Sequence, residues 1–251
     1  MSLTPRELAR RCDTLTRRGA IQDFPGARNG LQYDSRKPVK KIGAAVDAGT
    51  EVFEQAARAG VNFLIVHHGI HWKPTLPGAA TLKARRATLR RLGLSLYSSH
   101  LPLDAHPEMG NNALIAQRLG LKPQRWFLDF AGTPIALLCQ GIARRTLSQR
   151  LKRDYPKSFT AIEHGSAQPK RIAILSGSGR SALPYLNDLK CDTLITGELR
   201  EEHYNDAQEQ GWNLYPCGHY ATETWGVQAL AQAVAKEADL GWTFIRTRNP
   251  L

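Results

Sequence analysis

Imidazole and carboxylate side chains gather in three short stretches of this sequence. The first, Val66-His67-His68-Gly69-Ile70-His71-Trp72, directly follows an apolar β-rich run. Successive side chains leaving a strand point in different directions, so His67 and His68 could each address one of two neighbouring metal ions. The plainer use of such a pair is hydrogen bonding within a loop. The second stretch, Ser99-His100-Leu101-Pro102-Leu103-Asp104-Ala105-His106, also follows a β-rich run. Asp104 there is either a carboxylate ligand or a turn and cap residue; His100 is either a ligand or an acid/base group; His106, beside Pro107, looks peripheral. The third is Cys217-Gly218-His219-Tyr220-Ala221-Thr222-Glu223. Glu223, four residues after His219, can share a metal pocket with it or simply complement the positive end of a helix. Taken together, His67, His68, Asp104, His219 and Glu223 form a nitrogen-and-oxygen donor set suited to two divalent ions, Mn, Fe or Zn, with no need for sulfur. Five ligands are too many for one closed tetrahedral site. Two ions with open positions are an arrangement that activates water for hydrolysis.

Two further motifs sit at strand ends. Ser176-Gly177-Ser178-Gly179 precedes a helix, so its amides could face a phosphate. It matches neither the full dinucleotide fingerprint nor the P-loop, and a tight turn is the simpler reading. Thr196-Gly197-Glu198, followed by His203, places Glu198 either toward a crevice or at a helix start.

These motifs need a scaffold that delivers them to one end. Short β-rich runs alternate with amphipathic helical stretches nearly throughout, which is the sequence form of an α/β fold with a largely parallel sheet. Strands are expected at 41–47, 61–66, 94–99, 134–141, 171–175, 192–196, 213–217 and 242–247. In such a fold the carboxyl ends of strands open onto the functional crevice. The helix after Thr50 should stop at Gly60, that of 79–92 at Gly93 and that of 111–119 at Gly120, each glycine taking the left-handed position past the helix end. Residues 121–170 break the rhythm. A first α/β domain is therefore expected over 1–125, carrying the first two histidine elements, and a second over 126–251. The last helix is expected to pack back on the first domain, so that 213–251 returns to the site.

Composition sets the outer bounds. The chain has 251 residues, 34 Lys+Arg against 22 Asp+Glu, a formal net charge of +12 and 42% hydrophobic residues. That describes a globular protein with a substantial core. No apolar run approaches the roughly 18 residues that span a bilayer. The N-terminus reads as a helix with a capping box of Thr4, Pro5 and Glu7, not as an address. The four cysteines form no C-x-x-C pair, and a reducing cytoplasm is the expected home. Charge is uneven: residues 192–240 carry nine acidic and two basic side chains. Basic excess falls on Lys83, Arg85, Arg86, Arg90 and Arg91, and on Arg144, Arg145, Arg150, Lys152, Arg153 and Lys157. These are read first as solvated helix faces and second as attraction for phosphate or nucleic acid.

Asn29-Gly30-Leu31-Gln32, His67-His68-Gly69, His100-Leu101-Pro102-Leu103-Asp104, Thr196-Gly197-Glu198 and Gly218-His219-Tyr220-Ala221-Thr222-Glu223 resemble, in order, the motifs of the GTP cyclohydrolase I type 2 homologues, also called the Ngg-interacting-factor-three-like family, in its short form. The resemblance implies two interlinked α/β domains, a dinuclear metal centre on His67, His68, Asp104, His219 and Glu223, a histidine beside the metals at His100, and a homohexameric ring. It also implies hydrolytic opening of the guanine imidazole ring of GTP, or of a related nucleotide, with loss of formate. His71 departs from the pattern, since relatives often carry an aromatic residue there. Beside the hydrolase stand two other readings: a metal-handling protein without turnover, and a basic ring that binds nucleic acid.

Overall fold

A computed structural model of the chain describes residues 3–71 and 78–250. Trp72, which closes the first histidine element, and the two residues before Leu3 lie outside them. The described residues form eleven strands: β1 (Gly30–Tyr33), β2 (Lys41–Asp47), β3 (Phe63–His68), β4 (Ser95–Ser98), β5 (Pro123–Phe130), β6 (Thr133–Gln140), β7 (Ile162–Glu163), β8 (Arg171–Ser178), β9 (Thr193–Glu198), β10 (Asn213–Pro216) and β11 (Gly241–Phe244). They make two sheets in two compact units. One unit is Met1–Leu103 with Gly226–Arg248, and the other is Asp104–Trp225 with Asn249–Leu251. The α/β class read from the sequence is the one observed. No helix among the described residues is long and apolar enough to cross a membrane.

In the first unit the sheet order is β1-β4-β3-β2-β11, with only the β1–β4 pairing antiparallel. The C-terminal segment thus supplies an edge strand to the sheet in which the chain began. In the second unit the order is β5-β6-β8-β9-β10-β7, with a parallel trio β8, β9 and β10 flanked by antiparallel strands. The strands absent from the sequence reading are β1, β5 and β7. All three lie at or next to a sheet edge and pair antiparallel, so they lack the continuous apolar run of a strand buried on both faces.

The three glycine stops are real, and each does two jobs. Gly60, Gly93 and Gly120 have φ of +75°, +62° and +60°. The Gly60 amide donates to the Ala57 carbonyl while Val61 N–H reaches Ala56, Gly93 and Leu94 reach Arg90 and Leu89, and Gly120 and Leu121 reach Gln117 and Ala116. This paired pattern closes the helix, and the residue after each glycine is buried and heads the chain into β3, β4 or β5. Helix termination and strand entry are therefore one event, which fixes where β3 and β4 begin and where their histidine-bearing ends emerge.

Each unit has its own core. Leu64, Val66, Leu89, Leu94 and Leu96 pack with Phe53 in the first. Ile115, Leu137, Leu147, Leu151, Ile174 and Tyr215 pack in the second. The second core also holds a buried polar strut. Asn112, fully buried, donates through Nδ2 to the Ile135 carbonyl at 2.9 Å and accepts from Ser176 N–H at 2.8 Å, tying the helix Asn111–Arg118 to β6 and to β8. Asn112→Leu keeps the volume but strips the partner from two buried backbone groups, at roughly 1–3 kcal/mol each. The variant is expected to unfold about 3 kcal/mol more easily, read as a lower urea midpoint. A midpoint equal to that of the native chain would show that both groups find other partners.

Candidate metal centre

The first unit brings three imidazoles together at the carboxyl ends of β3 and β4. His67 is fully buried and His68 half-buried at the end of β3, and His100 follows β4. Ring centroids are 4.8 Å apart for His67 and His68, 4.8 Å for His67 and His100, and 5.6 Å for His68 and His100. One ligand atom from each of the three lies within 4.8 Å of the others.

An oxygen stands behind every ring. His67 Nδ1 lies 2.9 Å from the Ser99 carbonyl, His68 Nδ1 2.9 Å from Asp47 Oδ1, and His100 Nδ1 2.8 Å from Asp23 Oδ1. A carbonyl or carboxylate oxygen can only accept, so each Nδ1 carries the proton and donates. In a neutral ring that leaves Nε2 as the nitrogen with the lone pair, the arrangement in which a histidine serves as a metal ligand. Asp47 is placed by sheet register, since it pairs with His68 across β2 and β3. Asp23 is placed by its own donors: Phe24 N–H at 2.7 Å, Asn29 Nδ2 at 2.7 Å and Leu101 N–H at 3.0 Å. Burial alone would raise its pKa. The hydrogen bond and charge of His100, with Asn29 and Phe24, outweigh that and hold it below the usual carboxylate value.

The Asn29-Gly30-Leu31-Gln32 motif now has a physical role. Asn29 accepts from the His100 amide at 2.7 Å while donating to Asp23, and so clamps the second histidine loop. Gln32 accepts from Ile70 N–H at 2.7 Å and donates to the Arg28 carbonyl, clamping the first. A Cβ on Gly69 would collide with the Gln32 amide, which is why glycine follows the two histidines.

The second unit holds the remaining candidates. Asp104, buried at the end of the helix Leu101–Asp104, accepts from Asn111 Nδ2 at 2.8 Å and from Ser176 Oγ at 3.4 Å. His219 stands between two carboxylates, with Nδ1 3.1 Å from Glu198 Oε1 and Nε2 3.1 Å from Glu223 Oε1. Burial pushes the His219 pKa down, but the hydrogen bond and charge of Glu223, then those of Glu198, carry it up to about 9. Glu198, left open by the sequence, is thus the partner that orients His219. Gly177, with φ of +65°, lies against this pair; a Cβ there would press into Glu223 Oε1 and come within 3.1 Å of His219 Nε2. The bare backbone leaves a cradle beside a buried carboxylate and an imidazole.

The donor chemistry, imidazole nitrogen and carboxylate oxygen, fits a divalent first-row metal. Sulfur takes no part. Cys12, Cys139, Cys191 and Cys217 are all buried, and burial keeps their thiols protonated, pushing Cys139 to about 12 and Cys191 to about 11. Among the described residues, histidine and glutamate groups are therefore the ones that could hold a metal ion.

Other histidines and basic residues have different duties. His106 Nδ1 accepts from the amides of Glu108 and Met109, at 3.1 and 3.0 Å, and caps a turn. His71 is half-buried, and burial together with the nearby charges of Arg28 and Arg86 lowers its pKa. In the second basic segment Arg144 pairs with Glu163, Arg150 donates to the Leu119 carbonyl and Arg153 pairs with Asp154. Those three cations are framework. Of the two readings of Ser176-Gly177-Ser178-Gly179, the tight turn is the one observed, and three of its amides are bonded within the fold. Ser176 N–H goes to Asn112, Gly177 N–H to Thr222 Oγ1 and Gly179 N–H to the Glu198 carbonyl, and the turn that follows is 3-10.

Residues 6–250 match the model of the Duf34/NIF3 (NGG1p interacting factor 3) family. A Deinococcus radiodurans protein described as a GTP cyclohydrolase 1 type 2 homolog is 36% identical over 244 residues, covering 95% of this chain and 91% of its own length. An Escherichia coli protein of the same description is 36% identical over 233 residues, covering 92% and 93%. Among solved structures, a Thermus thermophilus protein superposes with a TM-score of 0.86 at 34% identity, covering 99% of this chain and 100% of its own.

Gly177→Ala tests the cradle. A methyl group there must displace Glu223 or His219, so metal content by elemental analysis is expected to fall while far-UV circular dichroism stays native. Wild-type metal content in the variant would show that the cradle is not part of a metal site.

Proposed function

The chain belongs to the Duf34/NIF3 family, and from that premise we propose that it is a metal-dependent hydrolase opening the purine ring of a nucleotide, GTP first among them. His67, His68, Asp104, His219 and Glu223 would hold two divalent ions, Fe, Mn or Zn. The observation that carries the reading is the set of three histidines with ligand atoms within 4.8 Å of one another, each with its Nδ1 tied to an oxygen. The relatives described as GTP cyclohydrolase 1 type 2 homologs support the choice of nucleotide. Assembly as a homohexamer and residence in the cytoplasm belong to the same proposal, on family resemblance.

Bound divalent ions supply Lewis acidity, lowering the pKa of water and polarising the group under attack. The protein's own side chains do the rest. Ser99 and Asp47 hold the His67 and His68 rings in one tautomer and one orientation. His100 is the proton carrier: Asp23 keeps its Nδ1 protonated and stabilises the imidazolium that forms when Nε2 takes a proton. Phe24, with its ring centroid 5.8 Å from that of His100 and tilted 47° to it, packs beside the imidazole. In the overall reaction water adds to the carbon between the two imidazole nitrogens, a C–N bond breaks, and a second water releases that carbon as formate.

The first experiment is elemental analysis of protein purified without a metal-affinity tag, paired with formate release from GTP. Two ions per chain and turnover are expected. Glu223→Ala should lose both together, and His100→Ala should keep its metal while turnover falls by about 10²–10⁴-fold. Turnover that survives complete loss of metal would sink the mechanism. Light scattering is expected to give six chains per particle, and a monomer would remove the ring from the proposal.

A further inference from the structure

A cleft of about 400 Å³ opens at the carboxyl ends of β8 and β9, wholly within the second unit. Its walls include Ser178, Arg180, Glu198, Arg200 and His203. Ser178 and Glu198 pair across the two strands, so the cleft mouth is fixed by sheet register. It also adjoins the metal-site residues through two links. Gly177, next to Ser178, lies against His219 and Glu223, and Glu198 bonds His219 Nδ1 at 3.1 Å.

The cleft is built from donors. His203 is only 4% exposed, and its Nδ1 accepts from the Arg200 amide at 2.9 Å. Its Nε2 therefore carries the proton in the neutral ring, and no acceptor among the described residues takes it up. Arg180, Arg200 and Ser178 are exposed on this wall; the two guanidinium groups have no carboxylate partner among the described residues, and the Ser178 hydroxyl makes no hydrogen bond among them. Glu198 is the only carboxylate on the wall, and it is already bonded to an imidazole. Two guanidinium groups, the Nε2 N–H of a buried histidine and a hydroxyl therefore line one cleft with no acceptor for them among the described residues. A small tetrahedral dianion would supply several acceptor oxygens, and guanidinium groups bind phosphate oxygens by charge-assisted hydrogen bonds.

We propose that this cleft is a phosphate subsite that holds the phosphoryl groups of a small phosphate ester. Its link to catalysis rests on the hydrolase reading above: a nucleotide anchored here by its phosphates would place its base on the His219 side of Glu198. Binding of phosphate itself does not depend on that reading. The subsite uses side chains, while the Ser176, Gly177 and Gly179 amides of the neighbouring loop are spent inside the fold.

The test is isothermal titration of the metal-loaded full chain with inorganic pyrophosphate, GTP, guanosine and citrate. Pyrophosphate and GTP should bind, and each arginine removed by Arg180→Ala or Arg200→Ala should weaken both by about tenfold. Guanosine affinity and metal content should stay unchanged. His203→Leu should weaken pyrophosphate, and His203→Gln, which keeps a donor N–H, should restore part of the loss. Pyrophosphate binding that is absent, or equal in the native and doubly substituted chains, would overturn the subsite; so would citrate binding more tightly with the same arginine dependence. Arginine-dependent pyrophosphate binding without formate release from GTP would uphold the subsite and remove the hydrolase.

Discussion

A histidine can hold a metal only through a nitrogen that carries a lone pair, and in this protein an oxygen behind the ring decides which nitrogen that is. Ser99, Asp47 and Asp23 accept hydrogen bonds from the Nδ1–H groups of His67, His68 and His100, and none of the three acceptors is adjacent in sequence to its histidine. Each acceptor must be delivered by the fold: Ser99 by the end of β4, Asp47 by register with β3, and Asp23 by a loop that Asn29 holds. Sheet register is accordingly a chemical constraint here. Because side chains alternate along a strand, a one-residue slip of β2 against β3 would turn Asp47 away from His68 and expose apolar side chains meant for the core.

The same logic explains the glycines. The left-handed turns at Gly60 and Gly93 set the first residues of β3 and β4, and counting along each strand then sets which residue emerges at its far end. Gly69 lets the Gln32 amide lie against the chain after His68, and Gly177 leaves room for Glu223 and His219. Side-chain absence at these points is part of the site, and packing density leaves little slack to absorb an added methyl.

Much of this was legible in the sequence because it is local. The alternation of apolar runs with capped helices reveals the α/β class, the glycine stops reveal helix ends, and strand-end histidines reveal the candidate ligands. β2, read as 41–47, has those bounds, whereas β3 runs two residues beyond the expected end and takes both histidines into the strand. What stayed hidden depends on contacts between distant residues. Asp47 reads as the polar end of a strand, Asp23 as a loop carboxylate before a proline, and Asn112 as a helix residue like any other. Only pairing across 21, 77 and 64 positions gives them meaning. Glu198 and His203 stand out in the sequence without an assignable role, since neither the His219 contact nor the cleft wall has a sequence signature.

Charge distribution ties these parts together. The stretch 192–240 is acidic in a chain of net charge +12, and two of its nine carboxylates, Glu198 and Glu223, meet at His219. Glu198 and Glu223 flank His219 at 3.1 Å from its Nδ1 and Nε2, and their hydrogen bonds and charge raise its pKa to about 9. Directly beyond Glu198 the sign reverses, with Arg180, Arg200 and His203 facing a cleft that the protein's own acceptors leave unfilled. Glu198 therefore touches both the His219 imidazole and the basic cleft, which couples the two by position. On the proposed reading, a ligand carrying both a phosphate and a neutral ring is the kind of molecule such a boundary would orient, because the acidic side repels phosphate toward the arginines.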